Sequence, residues 1–250
     1  MNQERFEQVC KDIAGQRQSG SGIGTLAEKT LHAVLKRYFE PDETKHEVKV
    51  GRHVADIVNN SGIIEIQTRA FNALRPKLEA YLAAYPVTVV YPIARTKWLY
   101  WIDLESGSIT NKRKSPKTGT YYDAFRELYK IKPYLHHPNL HIRLLLLDIE
   151  EYRYLDGWST DKKKGSSRCE RIPVGLVDEL DLHYSVDYAQ LISAALSGPF
   201  TTKDFAKAAA VRQKTAQTVV HLLHHMSALY RTGKHGRAYL YEKSDKKATD

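Results

Sequence analysis

The sequence predicts an α/β fold, with a mixed sheet packed against helices and a small C-terminal module of helices and a hairpin. Three observations predict it. Runs rich in branched residues alternate with turn composition between residues 46 and 68, which is typical of strands. Segments with helical spacing precede and follow these runs, which gives the order αβββαβ. After residue 186 the pattern changes to short helices.

Two helices are predicted before the first strand. Residues 1–18 place Phe6, Val9 and Ile13 on one apolar stripe. A second helix is expected from about Leu26 to Phe39. Its buried face is predicted to contain Ala27, Leu31, Val34, Leu35 and Tyr38.

The strand hairpin after His46–Val50 contains two acids. Its strands, Val54–Val58 and Ile63–Thr68, flank a turn of Asn, Ser and Gly. Side chains alternate between the two faces of a strand, so a hairpin can bring Asp56 and Glu65 together on one face. Carboxylates inside apolar strands need a partner, and a pair of them attracts Mg²⁺ or Mn²⁺. Gln67 points the same way as Glu65.

This pattern resembles the PD-(D/E)xK nuclease superfamily, which has a restriction-endonuclease-like αβββαβ core. Asp56 matches the family's first acid, Glu65 matches the second, and Gln67 lies where lysine is usual. Some restriction enzymes also carry Gln there. The resemblance implies a phosphodiester hydrolase that depends on Mg²⁺ (or Mn²⁺), with Asp56 and Glu65 as metal ligands and Gln67 orienting the attacking water. The alternative is an ordinary hairpin whose acids form surface ion pairs.

Three further residues are candidates by the same resemblance. A glutamate on the first core helix can join the metal site in this family, and Glu28 fits that position. Glu28 also completes a capping box with Thr25, so both roles stay open. Some relatives carry the missing lysine on the helix predicted here at Pro76–Tyr85. Lys77 or Arg75 would then supply the cation, unless both belong to a solvated helix start.

The rest of the first unit extends the sheet. Strands are predicted at Val87–Ile93, Lys97–Asp103 and His141–Ile149, with a helix at Tyr121–Tyr129. The basic loop Asn111–Lys117 is a candidate phosphate contact or a solvated loop.

Composition suggests the domain boundaries. Residues 1–155 are predicted to form the nuclease-like domain and residues 156–185 a connecting segment, because Gly157–Pro173 is polar. Residues 186–243 form the C-terminal module, and residues 244–250 a polar tail.

The C-terminal module resembles a winged helix-turn-helix domain. Helices are predicted at Asp187–Leu196, Lys203–Ala209 and Thr215–Met226, followed by a hairpin at 229–241. In such domains the third helix enters the major groove and the wing contacts the backbone. The residues that would contact nucleic acid are Arg212, Gln213, Lys214, Gln217, Lys234 and Arg237.

Charge agrees with a polyanionic partner. The chain carries a net charge of +9, and residues 199–243 hold eight lysine or arginine residues against two acids. Duplex DNA is therefore the predicted partner, and a winged helix used for protein contacts is the alternative.

His221, His224 and His225 have a spacing that can bind a transition metal, or they form a polar helix face.

Composition also indicates the cellular location of the protein. No apolar run is long enough to span a membrane, and the two cysteines have no metal or redox spacing. A cytoplasmic protein without a membrane partner is expected.

The leading hypothesis is a DNA endonuclease-like hydrolase in repair, recombination or defence, and a homodimer is an option because many nucleases of this fold are dimers. The alternatives are a non-cleaving DNA-binding regulator and a protein-interaction adaptor.

Overall fold

The computed structural model describes residues 2–18, 29–156 and 165–244. The first two helices are α1 (Gln3–Gln18) and α2 (Lys29–Phe39). The predicted stripe of α1 is confirmed, because its three apolar residues are all buried. The predicted face of α2 is buried at each of its described positions, namely Leu31, Val34, Leu35 and Tyr38.

A seven-stranded mixed sheet forms the centre of the molecule. Its strands are β1 (His46–Val50), β2 (His53–Asn59), β3 (Gly62–Ile66), β4 (Val87–Ile102), β5 (Arg113–Lys114), β6 (Leu140–Tyr154) and β7 (Ser167–Leu182). The spatial order is β1-β2-β3-β4-β6-β7, and β5 pairs with β4 outside that path. The predicted α/β class with a mixed sheet is therefore confirmed.

The first three strands form an antiparallel meander. Helix α3 (Arg75–Tyr81) then connects β3 to β4, which is parallel to β3. Parallel neighbours need such a crossover. The order along the chain is helix, three strands, helix, strand, as the sequence predicts.

Strand β4 differs from its prediction. The sequence suggests two strands, Val87–Ile93 and Lys97–Asp103, whereas the structure has one continuous strand of 16 residues. Its pairing with β6 shifts register between Ala94 and Thr96. This irregularity interrupts the apolar run where the prediction placed a break, but the strand continues because β6 pairs with it along its whole length.

Strand β7 corrects the predicted connecting segment 156–185. Residues Ser167–Leu182 pair antiparallel with β6 and belong to the sheet. The pairing has three register shifts. Each shift disturbs the alternation of apolar and polar residues by which a strand is recognised, and an edge strand also exposes polar residues. Its sequence therefore resembles a loop.

Helix α4 (Phe125–Leu128) lies between two 3-10 segments, Tyr121–Ala124 and Tyr129–Tyr134. Together they occupy the position where one helix was predicted at Tyr121–Tyr129. Ala124, Phe125 and Leu128 are buried. This region therefore forms part of the core that covers one face of the sheet.

The C-terminal module contains three helices and a hairpin. Its helices are α5 (Ser185–Ala189), α6 (Thr202–Ala208) and α7 (Gln213–His225), and its hairpin strands are β8 (Leu229–His235) and β9 (Ala238–Lys243). Phe200 and Tyr241 exchange two backbone hydrogen bonds of 2.8 Å, which add a third short strand segment. Helix α5 is shorter than predicted, because i to i+3 bonds at Leu191 and Ile192 replace the helical pattern.

Two apolar cores lie against the sheet. One contains residues of α1 and α2, such as Phe6 and Leu35. The other joins α3 and α4 to the C-terminal module, so that Leu78, Phe125 and Val219 belong to one cluster. Within the described ranges, no helix has the length and apolar character needed to cross a membrane.

Candidate functional site

Asp56 and Glu65 lie on adjacent strands, where the hairpin pairing ends. The register of β2 and β3 pairs Ile57 with Ile64, so the next position sets Asp56 against Glu65. The side chain of Asp56 accepts a hydrogen bond of 2.7 Å from the Ile66 amide. Where the two strands separate, the Asp56 carboxylate thus takes the place of a backbone carbonyl as the acceptor for the Ile66 amide. This hydrogen bond fixes the position of the Asp56 side chain.

Glu65 is buried, with 2% of its surface exposed, and forms an ion pair with Lys77. The Lys77 ammonium donates to both carboxylate oxygens, at 3.0 Å to Oε1 and 2.8 Å to Oε2. Lys77 lies in the first turn of α3, and its ion pair with Glu65 connects this helix to β3. Buried carboxylates are tolerated when they are paired in this way.

Opposing effects act on the Glu65 carboxyl. Burial raises its pKa to about 7, and the negative charge of Asp56 adds to this. Hydrogen bonding and charge from Lys77 act in the opposite direction. A carboxyl with a pKa near neutrality beside another acid and a lysine is typical of functional sites.

Of the two cations that the sequence offered, the structure brings Lys77 to the acids. The Arg75 side chain is exposed and donates a hydrogen bond of 2.6 Å from Nε to the Lys130 carbonyl oxygen. It therefore connects α3 to the 3-10 segment Tyr129–Tyr134.

Gln67 follows directly after β3. Its backbone amide donates to the Val90 carbonyl at 2.9 Å, which prolongs the pairing with β4 by one residue. Its side-chain nitrogen donates to the Arg69 carbonyl. The side-chain amide is thus engaged by the backbone of the following turn, and its role toward a water stays a prediction. Glu28 lies outside the described residues.

Tyr81 is a site residue that the sequence reasoning missed. It lies one helical turn after Lys77 on α3, and its side chain is fully buried. Burial raises the pKa of Tyr81 to about 12, with smaller contributions from the charges of Glu65 and Asp56. The i, i+4 spacing of Lys77 and Tyr81 is the signal that could have found it, because residues so spaced share a helix face.

The donors at this site fit a hydrated Mg²⁺ ion. Mg²⁺ is commonly held by one or two carboxylates together with waters or substrate phosphates. Asp56 and Glu65 supply two carboxylates, and the buried hydroxyl of Tyr81 lies within reach of their charges. Across residues 2–18, 29–156 and 165–244, no three His, Cys, Asp or Glu side chains are grouped to hold a metal. A closed site of the structural zinc type is therefore absent from this part of the chain.

The predicted nucleic-acid contacts lie on the surface of the C-terminal module. The N-terminal part of α7 and the tip of the hairpin expose all six residues, namely Arg212, Gln213, Lys214, Gln217, Lys234 and Arg237. The opposite face of α7 is buried. On the hairpin, the guanidinium of Arg231 lies 4.1 Å from the centre of the Tyr239 ring and the Lys234 ammonium lies 5.0 Å from it. These cations are held against an aromatic surface.

The C-terminal part of α7 packs against the first unit. Lys132 lies 2.9 Å from His221 Nε2, and His136 Nε2 lies 2.9 Å from the His225 carbonyl oxygen. Burial is the largest effect that lowers the pKa of His221 and of His225, and positive neighbours add to it. These histidines therefore belong to the contact between the two units.

The comparisons with known proteins identify a family but no activity. The chain matches, over residues 29–183, a family described as Domain of unknown function (DUF8091). A protein of Treponema pallidum (strain Nichols), named Uncharacterized protein, is 30% identical over 234 residues, which cover 88% of this chain and 87% of the relative. No solved structure matches the chain significantly. The family match includes α2, the whole sheet and the acids; the chain belongs to this family, Domain of unknown function (DUF8091).

Proposed function

We propose that the protein is a divalent-cation-dependent phosphodiester hydrolase that acts on DNA. The observation that carries this proposal is the convergence of Asp56, Glu65 and Lys77 at the point where β2 and β3 separate. Two carboxylates and one ammonium in a partly buried site are the groups that a cation-assisted attack on a phosphodiester requires.

The order of elements supports a restriction-endonuclease-like core for this domain. An antiparallel meander, a crossover helix and a fourth strand parallel to the third follow a helix. This is the αβββαβ order that the PD-(D/E)xK resemblance implies. Asp56, Glu65 and Lys77 occupy the second strand, third strand and crossover helix of that order. Since a fold alone does not fix an activity, the proposal depends on the site.

Each residue has a role in the proposed reaction. Asp56 and Glu65 would hold Mg²⁺ or Mn²⁺, which supplies Lewis-acid chemistry toward the phosphate. The hydrogen bond from the Ile66 amide keeps Asp56 in place before any ligand arrives. Lys77 is the cation best placed to stabilise developing negative charge, because its ammonium already lies at the carboxylate of Glu65. It takes the role that a lysine at position 67 would have.

The C-terminal module would position the DNA. Residues 199–243, which include the exposed α7 N-terminus and hairpin tip, carry +6 of the chain's net charge of +9. Lysine and arginine on such a surface provide salt-dependent affinity for the phosphate backbone. The contacts between α7 and residues 129–136 hold this surface in a fixed position relative to the sheet.

A cleavage assay tests the proposal. Supercoiled, linear, branched and single-stranded DNA are incubated with purified protein and Mg²⁺ or Mn²⁺. We expect cleavage by the wild type and its loss in both Asp56→Ala and Glu65→Ala. Glu151→Gln is the control, because Glu151 is equally buried and paired but lies on β6. Cleavage that survives in the Asp56 and Glu65 variants would contradict the proposal.

A DNA-binding regulator that does not cleave is the second candidate. Gln67 at the lysine position and the independent basic surface of the C-terminal module favour it. For such a regulator, we expect the wild-type protein to bind DNA but to cleave none of the DNA substrates. Lys214→Ala should then weaken binding several-fold and lower the salt dependence by about one released ion. Lys11→Ala, an exposed lysine on α1, should leave both unchanged.

A further inference from the structure

The hydroxyl group of Tyr81 is buried without a hydrogen-bond partner. The whole side chain is inaccessible to solvent. Burying a polar group without a hydrogen-bond partner is unfavourable, so such groups are few in native proteins. Each one calls for an explanation, such as a catalytic role or a bound water or ion. The position of this hydroxyl therefore indicates what it binds.

The surroundings of Tyr81 restrict that ligand. The hydroxyl lies close enough to Glu65 and Asp56 for both charges to act on it. Its ring packs edge-on against His53, with the ring centres 6.0 Å apart. Lys77, one turn earlier on the same helix, reaches the same carboxylate. The buried hydroxyl thus lies near the acid pair, on the same helix as the lysine that contacts Glu65.

The tyrosine can act only as a hydrogen-bond donor or acceptor there, since its ordinary pKa is already far above neutrality and burial raises it further. A neutral hydroxyl beside two carboxylates is best used as a donor to an oxygen atom. Waters around a divalent cation are strong donors and also accept hydrogen bonds weakly, whereas a phosphate oxygen is a strong acceptor.

We propose that Tyr81 is a positioning residue of the cation site, whose hydroxyl donates a hydrogen bond to an oxygen that enters with the ligand between Asp56 and Glu65. This inference rests on the proposed function, because it assigns the hydroxyl to the ligand of that same site. In this proposal, α3 supplies two side chains to the site of the two acids, Lys77 and Tyr81. The ligand would satisfy a group that is unsatisfied in its absence.

The test is binding of Mn²⁺ in the presence of inorganic phosphate, which supplies the acceptor oxygen, measured by electron paramagnetic resonance and calorimetry with no nucleic acid present. We expect Tyr81→Phe to weaken Mn²⁺ binding by about three- to tenfold, the loss of one hydrogen bond. Its melting temperature without Mn²⁺ should be equal to or above that of the wild type, because the removed hydroxyl has no partner. A purely structural tyrosine would leave the affinity unchanged.

Tyr121→Phe is the matched control. Its hydroxyl is also buried, but its neighbours are Asp178 and Glu179 of β7. Its loss should leave Mn²⁺ affinity at the wild-type value. Equal affinity of the wild type and Tyr81→Phe would overturn the inference and leave the proposed function intact. Failure of the wild type to bind Mn²⁺ would overturn the proposed function and the inference together.

Discussion

The buried carboxylate of Glu65 is stabilised by one positive neighbour and destabilised by one negative neighbour. Lys77 donates to both of its oxygens, while Asp56 lies on the adjacent strand. The sequence located both acids, because alternation along two strands suffices to put them on one face. It left both Lys77 and Arg75 as candidates, because their distances to Glu65 depend on how α3 packs against β3.

Glu65 makes stability depend on pH. Burial raises its pKa from 4.5 to about 7, so between these pH values the folded protein holds a proton that the unfolded chain releases. Its contribution to the free energy of unfolding therefore falls as pH rises through that window. We expect Glu65→Gln to gain stability relative to the wild type between pH 5 and pH 8, by about 2–3 kcal/mol. Urea unfolding at both pH values, without divalent cations, measures it.

Glu151→Gln is the control for this prediction and has the opposite sign. Burial raises the pKa of Glu151, but Lys97, Arg168 and Arg153 outweigh burial and lower it. Its carboxylate therefore stabilises the fold above the ordinary pKa of a glutamate, and Glu151→Gln should be less stable than the wild type at pH 5 and pH 8. If Glu65→Gln instead behaves like Glu151→Gln, the assignment of a strained Glu65 is wrong.

Lys77 should matter for turnover. We expect Lys77→Met to reduce the rate constant of DNA cleavage by about a hundredfold or more, since it removes the cation at the reacting centre. Lys130→Met is the control, because Lys130 forms a similar partly buried ion pair with Glu127, at 2.7 Å. The measurement is single-turnover cleavage at saturating Mg²⁺. An unchanged rate in Lys77→Met would remove Lys77 from the mechanism.

At the scale of elements, the turn between β2 and β3 depends on one glycine. Gly62 has φ +115°, and a Cβ atom there would lie 2.3 Å from the Pro86 carbonyl oxygen. That carbonyl accepts a hydrogen bond of 2.9 Å from the Ile63 amide, which ties the start of β3 to the segment before β4. The close approach of two backbones therefore sets the register of the strand that carries Glu65.

Gly62→Ala should destabilise the protein more than a change in backbone strain alone explains. We expect a loss of about 3 kcal/mol or more, because both the positive φ and the Pro86 contact oppose a methyl group. Gly51→Ala is the control: its φ is +59° but the added carbon would meet no atom within 4 Å. We expect Gly51→Ala to lower the free energy of unfolding by about 1–2 kcal/mol. Equal losses in chemical denaturation would show that the Pro86 contact yields easily.

The elements that the sequence predicted well have regular patterns. Helix α7 spans Gln213–His225 where Thr215–Met226 was predicted, and α6 spans Thr202–Ala208 where Lys203–Ala209 was predicted. Strand β7 was missed because its three register shifts destroy the period on which the prediction depends. The length of β4 was missed because its continuation is decided by pairing with β6, a long-range contact. Such contacts leave no local signal.

At the scale of the whole molecule, the C-terminal module shares a core with the sheet. Tyr122 donates a hydrogen bond of 2.8 Å to the Leu191 carbonyl and packs edge-on against Phe205. The sequence treated the two units as separate domains joined by a linker, because a shared core cannot be seen in either pattern alone. A homodimer and a cytoplasmic location stay predictions from sequence.

The shared core should make the two units unfold together. Trp98 and Trp101 lie on β4, so their fluorescence reports on the sheet of the first unit. We expect Val219→Ala, a buried change in α7, to lower the transition seen by tryptophan fluorescence by a few degrees. Val186→Ala, an exposed position in α5, should not. A fluorescence transition that Val219→Ala leaves unmoved would indicate independent units.

Mn²⁺ diffusion into crystals of the protein, with collection of anomalous scattering data, tests the cation site most directly. The site predicts one strong anomalous peak within coordination distance of a carboxylate oxygen of Asp56 and of Glu65. The peak should vanish in Glu65→Gln and persist in Glu151→Gln. An anomalous map without a peak between these two acids, or with the same peak in Glu65→Gln, would contradict the assignment of a divalent-cation site.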